Sequence, residues 1–267
     1  MIGKAVGAGF VAARDFVARG LLRLGVTPNM LTLTGMAFTA AAAVCYALGA
    51  GSRFANPWGP DDWANGYLLL AGALLILASA CDMLDGAVAR LGNRGTVFGA
   101  FLDSTLDRYS DFAVYAGIAI AYAWTRPANL TFIFLAMLAF FNSFMISYAR
   151  ARAEDLIEHC TVGYWQRGER SAAILIATFA HNIPALLVQQ AALPLLTVLR
   201  RVFYTKAVLE GKAPITDPRQ GGWWLKVRLW RWPRKTIPYD VVTGLNIAFL
   251  IWMPIGNVDP LRALLAG

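Results

Sequence analysis

Charged residues are scarce in this chain. Of its 267 residues only 15% are Asp, Glu, Lys or Arg, where a soluble domain usually carries about 25%. Cysteine and histidine are scarcer still. Cys45, Cys81 and Cys160 are scattered with no close pairs, which excludes a disulfide framework and a zinc site. His159 and His181 are isolated and read as structural or interfacial residues. A secretory signal is not expected either. The first 28 residues carry Arg14, Arg19 and Arg23 among Phe10, Phe16, Val17, Leu21 and Leu22, the pattern of an amphipathic helix on a membrane surface.

What the chain has instead is apolar length. It is 58% hydrophobic, with a mean hydropathy of +0.51. Uncharged runs cover Met30 to Gly51, Trp63 to Cys81, Phe112 to Thr125, Pro127 to Ala149 and Ser171 to Leu199. A helix needs about 20 apolar residues to cross the hydrocarbon core. The run from Phe112 reaches that length if its helix starts back near Gly99. The run from Ser171 is too long for one span, and "HNIP", His181 to Pro184, breaks it into two antiparallel helices. The expected fold is therefore an all-α integral membrane protein with six transmembrane helices behind the surface helix. Val241 to Val258 is either a seventh span or a helix lying in the interface.

The net charge of +8 does not point to nucleic acid, because the basic residues sit where membrane topology needs them. Lys4, Arg14, Arg19 and Arg23 precede the first span. Arg90 and Arg94 lie between the second and third. Arg150, Arg152, Arg167 and Arg170 lie between the fourth and fifth, and a dense group from Arg200 to Lys235 follows the sixth. The alternate loops hold only Arg53 and Arg126. By the positive-inside rule the N-terminus and every basic loop face the cytoplasm of the cell membrane. "GGWWLKVRLWRWPRK", Gly221 to Lys235, mixes tryptophan with basic residues and reads as an interfacial anchor on anionic lipid.

Acidic residues then stand out by position. Asp82, Asp85, Asp103, Asp107 and Asp111 cluster where the second span ends and the third begins. Asp82 and Asp85 are three apart and share a helix face, with Gly86 and Ala89 extending it. Gly99, Asp103, Asp107 and Asp111 step by four along another. The linker "RLGNRGT", Arg90 to Thr96, suits a tight turn that opposes the two faces. Carboxylates near membrane ends are often solvated caps. A charge well inside a bilayer, however, costs roughly 2.5–3.5 kcal/mol, and facing carboxylates repel one another. All-oxygen sets that tolerate this bind hard cations such as Mg²⁺ or Mn²⁺. Asp82, Asp85, Asp103 and Asp107 are the expected ligands of two such ions. Asp111 is left out of the set and is expected to continue the polar face or to meet Arg108 or Arg150. Gly86, Ala89 and Gly99 leave a groove beside the metals, although small residues on membrane helices also serve helix packing.

These residues carry a resemblance. Asp82-x-x-Asp85-Gly86-x-x-Ala89-Arg90, eight residues, then Gly99-x-x-x-Asp103-x-x-x-Asp107, resembles the motif of the CDP-alcohol phosphatidyltransferases in every residue type and spacing. "TPNMLTLTG", Thr27 to Gly35, is similar to the stretch that opens the first span in that family. The resemblance covers the chain to about Phe203. It implies a homodimer of six-helix subunits, two divalent cations on the four motif aspartates, and a CDP-linked lipid as donor. It further implies Asp107 as general base, Gly86, Ala89 and Gly99 around the cytidine, Asn29 and Thr32 near the nucleotide, and Asp82 and Arg90 supporting that site. The domains follow as a surface helix over 1–28, a catalytic domain over 29–205 and a basic, Trp-rich extension over 206–267.

The implied reaction transfers a phosphatidyl-type group from CDP-diacylglycerol to an alcohol and releases CMP. "ISYARARAEDL" and "WQRGERSAAI" are similar to segments of prokaryotic phosphatidylinositol-phosphate synthases. By position Arg150, Arg170 and Arg201 match residues that hold an acceptor's phosphate, which points to inositol phosphate, with glycerol 3-phosphate as the alternative. Arg152, Arg167 and Arg200 read as ordinary positive-inside residues, and Arg150 also has Glu154 at i+4 as a partner. A prenyltransferase, whose aspartate motifs lack the Gly-x-x-Ala-Arg element, and an ion transporter fit less well. Diacyl and archaeal diether lipids are equally compatible with the residues.

Overall fold

The structure, a computed structural model, describes residues 2–49, 66–212, 223–230, 232, 234–256 and 258–266. Arg53, the first residues of the run from Trp63, and Gly221, Gly222, Arg231 and Pro233 of the Trp-rich stretch lie outside the described residues. Every described element is a helix: α1 (Ile2–Arg23), α2 (Pro28–Gly49), α3 (Gly66–Leu91), α4 (Val97–Trp124), α5 (Leu130–Glu154), α6 (Arg167–Phe179), α7 (Ile183–Leu209), α8 (Trp223–Leu229), α9 (Ile237–Trp252) and α10 (Pro260–Ala266).

Local chemistry sets these boundaries. The Thr96 hydroxyl caps α4 by accepting from the Gly99 amide at 2.9 Å. Asn129 caps α5 through Phe132 at 3.0 Å, and Asn182 caps α7 through Ala185 at 3.3 Å. The expected break at "HNIP" is present. His181 sits at φ +56° between the last turn of α6 and the proline-led first turn of α7. The α3–α4 turn closes through Gly92 N to Val88 O and Arg94 N to Ala89 O, with Asn93 at φ +52°.

Among the described residues, α2, α3, α5 and α7 are long and apolar enough to cross a membrane. Helix α4 has the length, 28 residues, but carries Asp103, Asp107, Arg108 and Asp111 within its first 15. Helix α6 has 13 residues and is about 20 Å long. Of the six spans expected, four are helices of sufficient length and apolar composition, and α4 and α6 pack against them.

Helix α2 packs against α3 and α4, α5 against α4 and α7, and α6 against α3, α7 and α9. Small residues allow the closest approaches. A Cβ at Gly117 of α4 would land on the Ala43 carbonyl of α2, and one at Gly35 of α2 would lie 3.3 Å from the Cys81 Cβ of α3. The core between these helices is built from Tyr46, Leu68, Ile118, Tyr122, Phe132, Ile146, Leu186 and Leu187. Large apolar side chains such as Leu33, Leu69, Phe134, Met137 and Leu195 stay exposed on the outside, as a lipid-facing surface requires. All three cysteines are free and buried.

Helix α1 docks on α3, with Leu21 and Leu22 against Val88 and Ala87, while Phe10 and Phe16 are exposed. Trp223 and Trp224 of α8 are exposed as well.

Helix α9 runs alongside α6 for its whole length. Tyr239 near its start bonds Glu169 in the first turn of α6. Thr243 meets the Tyr164 hydroxyl at 3.1 Å. Gln189 of α7 donates to Asn246 Oδ1 at 3.0 Å. The Asn182 amide, beyond the far end of α6, donates to Leu250 O and Met253 O at 3.0 and 2.9 Å. The chain then reaches the start of α5. There Asp259 accepts from the amides of Leu130 and Thr131, at 3.0 Å each, and from the Thr131 hydroxyl at 2.7 Å. Arg262 donates to Ala128 O at 2.6 Å.

Candidate active site

The last turns of α3 and the first turns of α4 bring their aspartates face to face. One carboxylate oxygen from each of Asp82, Asp85 and Asp103 falls within 4.8 Å of the others. Thr32 of α2 donates to Asp85 Oδ2 at 2.8 Å, fixing that carboxylate from a third helix. Asp103 Oδ1 is buried and has no hydrogen-bond partner. Three hard oxygen donors this close, one of them a buried orphan, match what a divalent cation binds.

Asp107 lies one turn along α4, outside that set of three but lining the same cavity of about 420 Å³ with Asp82, Asp85, Asp103 and Asp111. It is buried, with 8% exposure. Its Oδ1 pairs with Arg167 Nη2, and its Oδ2 lies 3.4 Å from Arg108 Nη2. Arg167 also reaches Asp82 Oδ1 at 2.9 Å, so one guanidinium from α6 bridges α3 and α4. Arg167, expected as an ordinary positive-inside residue, thus sits among the carboxylates. The available signal was its spacing of three from Arg170, which puts both on one face of α6.

Asp111 also lies outside that set of three. It accepts from Ser143 Oγ of α5 at 2.6 Å and lies 3.5 Å from Arg170 Nη2. Arg170 is almost fully buried and also donates to Trp165 O. Around this cavity five carboxyl groups, Asp82, Asp85, Asp103, Asp107 and Asp111, meet three guanidinium groups, Arg108, Arg167 and Arg170. The acidic excess sits at the α3–α4 end, where added cations would balance it.

The three arginines expected to hold an acceptor's phosphate fall in different settings. Arg170 is beside the cavity. Arg150 is half exposed and pairs with Glu154 at 2.9 Å. Arg201 is 1% exposed and staples the loop before α6. Its Nε donates to Val162 O at 3.4 Å, its Nη1 to Ile146 O, and its Nη2 to Gln166 Oε1 at 2.8 Å.

Asn29, Gly86, Ala89, Arg90 and Gly99 lie toward the α3–α4 turn, beyond the lining of the cavity. A Cβ at Gly99 would lie 3.0 Å from the Thr96 hydroxyl and 3.3 Å from Asn29 Oδ1, and one at Gly86 would lie 3.2 Å from Arg90 Nη1. The structure thus brings Asn29 next to Gly99 and Arg90 over Gly86. Thr32 joins this group to the carboxylates through Asp85.

The family model described as CDP-alcohol phosphatidyltransferase matches residues 25–209. The chain belongs to that family. An archaetidylinositol phosphate synthase from Methanothermobacter thermautotrophicus is 36% identical over 188 residues, covering 68% of this chain and 84% of the relative. A phosphatidylinositol phosphate synthase from Mycobacteroides abscessus is 34% identical over 168 residues, covering 62% of this chain and 68% of the relative. The crystal structure of Mycobacterium tuberculosis phosphatidylinositol phosphate synthase with CDP-DAG bound superposes with a TM-score of 0.59 at 30% identity, over 72% of this chain and 92% of that one. The same mycobacterial protein in complex with manganese and citrate gives a TM-score of 0.58 at 30% identity, over 72% of this chain and 88% of that one. This CDP-alcohol phosphatidyltransferase is therefore an enzyme of the all-helical membrane type, and α8 to α10 lie beyond the part that the family model matches.

Proposed function

We propose that this enzyme transfers the phosphatidyl-type group of a CDP-linked lipid to a hydroxyl of inositol phosphate, releasing CMP. The observation that carries the reading is one cavity lined by the α3–α4 aspartates and by Arg167 of α6, with Arg170 paired to Asp111 at its wall. Its acidic end suits a cation-bound diphosphate, and its basic end suits a phosphorylated acceptor. Relatives named archaetidylinositol phosphate synthase and phosphatidylinositol phosphate synthase support the same acceptor.

Asp82, Asp85, Asp103 and Asp107 would hold two divalent cations, Mg²⁺ or Mn²⁺, which when bound neutralise the diphosphate and the charge that develops on the leaving CMP. The acceptor's hydroxyl oxygen forms a bond to the phosphorus that carries the lipid. The bond from that phosphorus to the CMP oxygen breaks. Asp107 receives the hydroxyl proton. Its Oδ2, 3.4 Å from Arg108, is the less tightly held of its two oxygens. No protein nucleophile is needed. Asn29, Thr32, Gly86, Ala89, Arg90 and Gly99 hold the nucleotide of the donor.

For the acceptor's phosphate, Arg170 has the best placement among Arg150, Arg170 and Arg201, and Arg167 joins it on the same face of α6. Arg150 would have to release Glu154 and Arg201 its loop carbonyls to reach a phosphate. The planar guanidinium fork suits phosphate oxygens in pairs.

The working unit is read as an integral membrane homodimer with its site on the cytoplasmic side, as the basic loops require. Residues 1–28 form the surface helix, 29–205 the catalytic bundle of six crossings and 206–267 the extension. The course of α9 beside α6 favours a seventh crossing over an interfacial helix. The test is an acceptor screen with labelled CDP-diacylglycerol and with its archaeal diether counterpart. Inositol phosphate should be the acceptor consumed, and the preferred donor fixes the lipid class.

A further inference from the structure

Helix α6 carries both arginines of the basic end, yet little in its own sequence fixes it. With 13 residues it is near the length at which an isolated helix is marginal. Its N-cap, Gln166, makes no side-chain cap bond, because that side chain is committed to Val162 O, Gly163 O and Arg201. The first turn is held instead from outside, through Glu169. Glu169 Oε1 accepts from Arg234 Nε at 3.0 Å, from Arg234 Nη2 at 2.8 Å and from the Tyr239 hydroxyl at 2.6 Å. The Glu169 side chain is 7% exposed and that of Arg234 65%, and both Arg234 nitrogens converge on the one carboxylate oxygen as charge-assisted contacts. Gly168 allows this approach, since a Cβ there would come within 3.0 Å of Arg234 Nη2.

Four consecutive residues thus divide their work. Arg167 and Arg170, three apart, reach Asp82, Asp107 and Asp111 on the inner side. Gly168 and Glu169 receive the C-terminal extension on the outer side. Arg234 and Tyr239 both lie beyond residue 209, where the family match ends. A cavity of about 270 Å³ between α6 and α9 is lined by Glu169, Arg234, Tyr239, Thr243 and Asn246, so the Glu169 contact lies at its edge.

We propose that the extension is a positioning strap, in which Arg234 and Tyr239 act through Glu169 to set Arg167 and Arg170 for the acceptor. Glu169 is a positioning residue and touches neither substrate. The proposal rests on the reading that the α6 arginines hold the acceptor.

The test uses the full-length enzyme in lipid. Arg234→Ala should raise the acceptor KM about tenfold, as expected for losing one charge-assisted contact's worth of order, with the CDP-lipid KM changed less than twofold. Arg234→Lys should recover most of that loss. Hydrogen exchange at the amides of residues 167–172 should quicken in Arg234→Ala and not in Arg234→Lys. Arg170→Ala runs alongside as a control. If Arg170→Ala raises the acceptor KM and Arg234→Ala does not, the strap is overturned and the acceptor reading stands. If both leave the acceptor KM unchanged, both are overturned. A rise in both KM values that follows lost thermal stability, or unchanged exchange in α6, also overturns the strap.

Discussion

Arg167 Nη1 lies 2.9 Å from Asp82 Oδ1, joining the first turn of α6 to the last turns of α3 across 85 positions of sequence. The same guanidinium reaches Asp107. A side chain that ties one proposed metal ligand to the proposed general base is placed to act on both, and it lies at the junction of the acidic and basic ends of the cavity.

Arg167→Ala should therefore cut turnover and raise the acceptor KM together. A charge-assisted contact contributes about 1.5–3 kcal/mol, roughly ten- to a hundredfold. Arg152→Ala is the comparison, because Arg152 pairs with Asp155 on the exposed surface and its loss should change neither constant by more than twofold. Equal effects from both variants would reduce Arg167 to a topology residue.

Asp82→Asn or Asp103→Asn should abolish turnover while the protein still inserts and folds. A chelator should do the same to the parent enzyme. Calorimetric titration with Mn²⁺ should show binding by the parent and none by Asp103→Asn. Full activity in chelator would remove the divalent-cation site.

Gly99→Leu should block CDP-lipid binding, since even a Cβ at that position meets Asn29 and Thr96 at 3.3 and 3.0 Å and the longer side chain fills the groove between them. Gly86→Leu should act in the same way by displacing Arg90. Unchanged nucleotide binding in both variants would make these glycines packing residues.

Asp259 ties the extension to the start of α5. Partial burial alone would raise its pKa. The hydrogen bonds from the Thr131 hydroxyl and from the amides of Leu130, Arg262 and Thr131 outweigh that and lower it to about 2. A depressed carboxylate adds stability that is present above its unfolded pKa of about 3.9 and is lost as pH falls through the folded value. Asp259→Ala should lower the thermal midpoint by the same amount at pH 5 and pH 8. A deficit that grows between those two values would assign the effect to another group.

Much of this was legible in the sequence because its carriers are local. The spacing of Asp82, Asp85, Asp103 and Asp107 sets which helix face each occupies, and the Gly-Asn turn between Leu91 and Arg94 sets how the faces meet. The break at His181 follows from the same local chemistry. What escaped depends on distant pairs. The spacing of Arg167 from Arg170 is the one local mark that sets it off from Arg152, and only the packing of α6 against α3 turns it to the carboxylates and leaves Arg152 in solvent. Arg201 reads as a phosphate ligand by position, and in the fold its donors meet a carbonyl of α5, Ile146 O, and one of the loop before α6, Val162 O. The partnership of Glu169 with Arg234 spans 65 positions and follows no periodic pattern.

The most direct test of the central claim is a side-by-side turnover assay on the enzyme in lipid, with labelled CDP-diacylglycerol and Mg²⁺ or Mn²⁺. Inositol phosphate, glycerol 3-phosphate and free inositol are offered separately, and CMP and lipid product are both quantified. The account predicts CMP and a phosphorylated inositol lipid in equal amounts, with kcat/KM for inositol phosphate at least about tenfold above either competitor. A preference for glycerol 3-phosphate or free inositol would contradict the acceptor assignment, and lipid product without CMP would contradict the reaction itself.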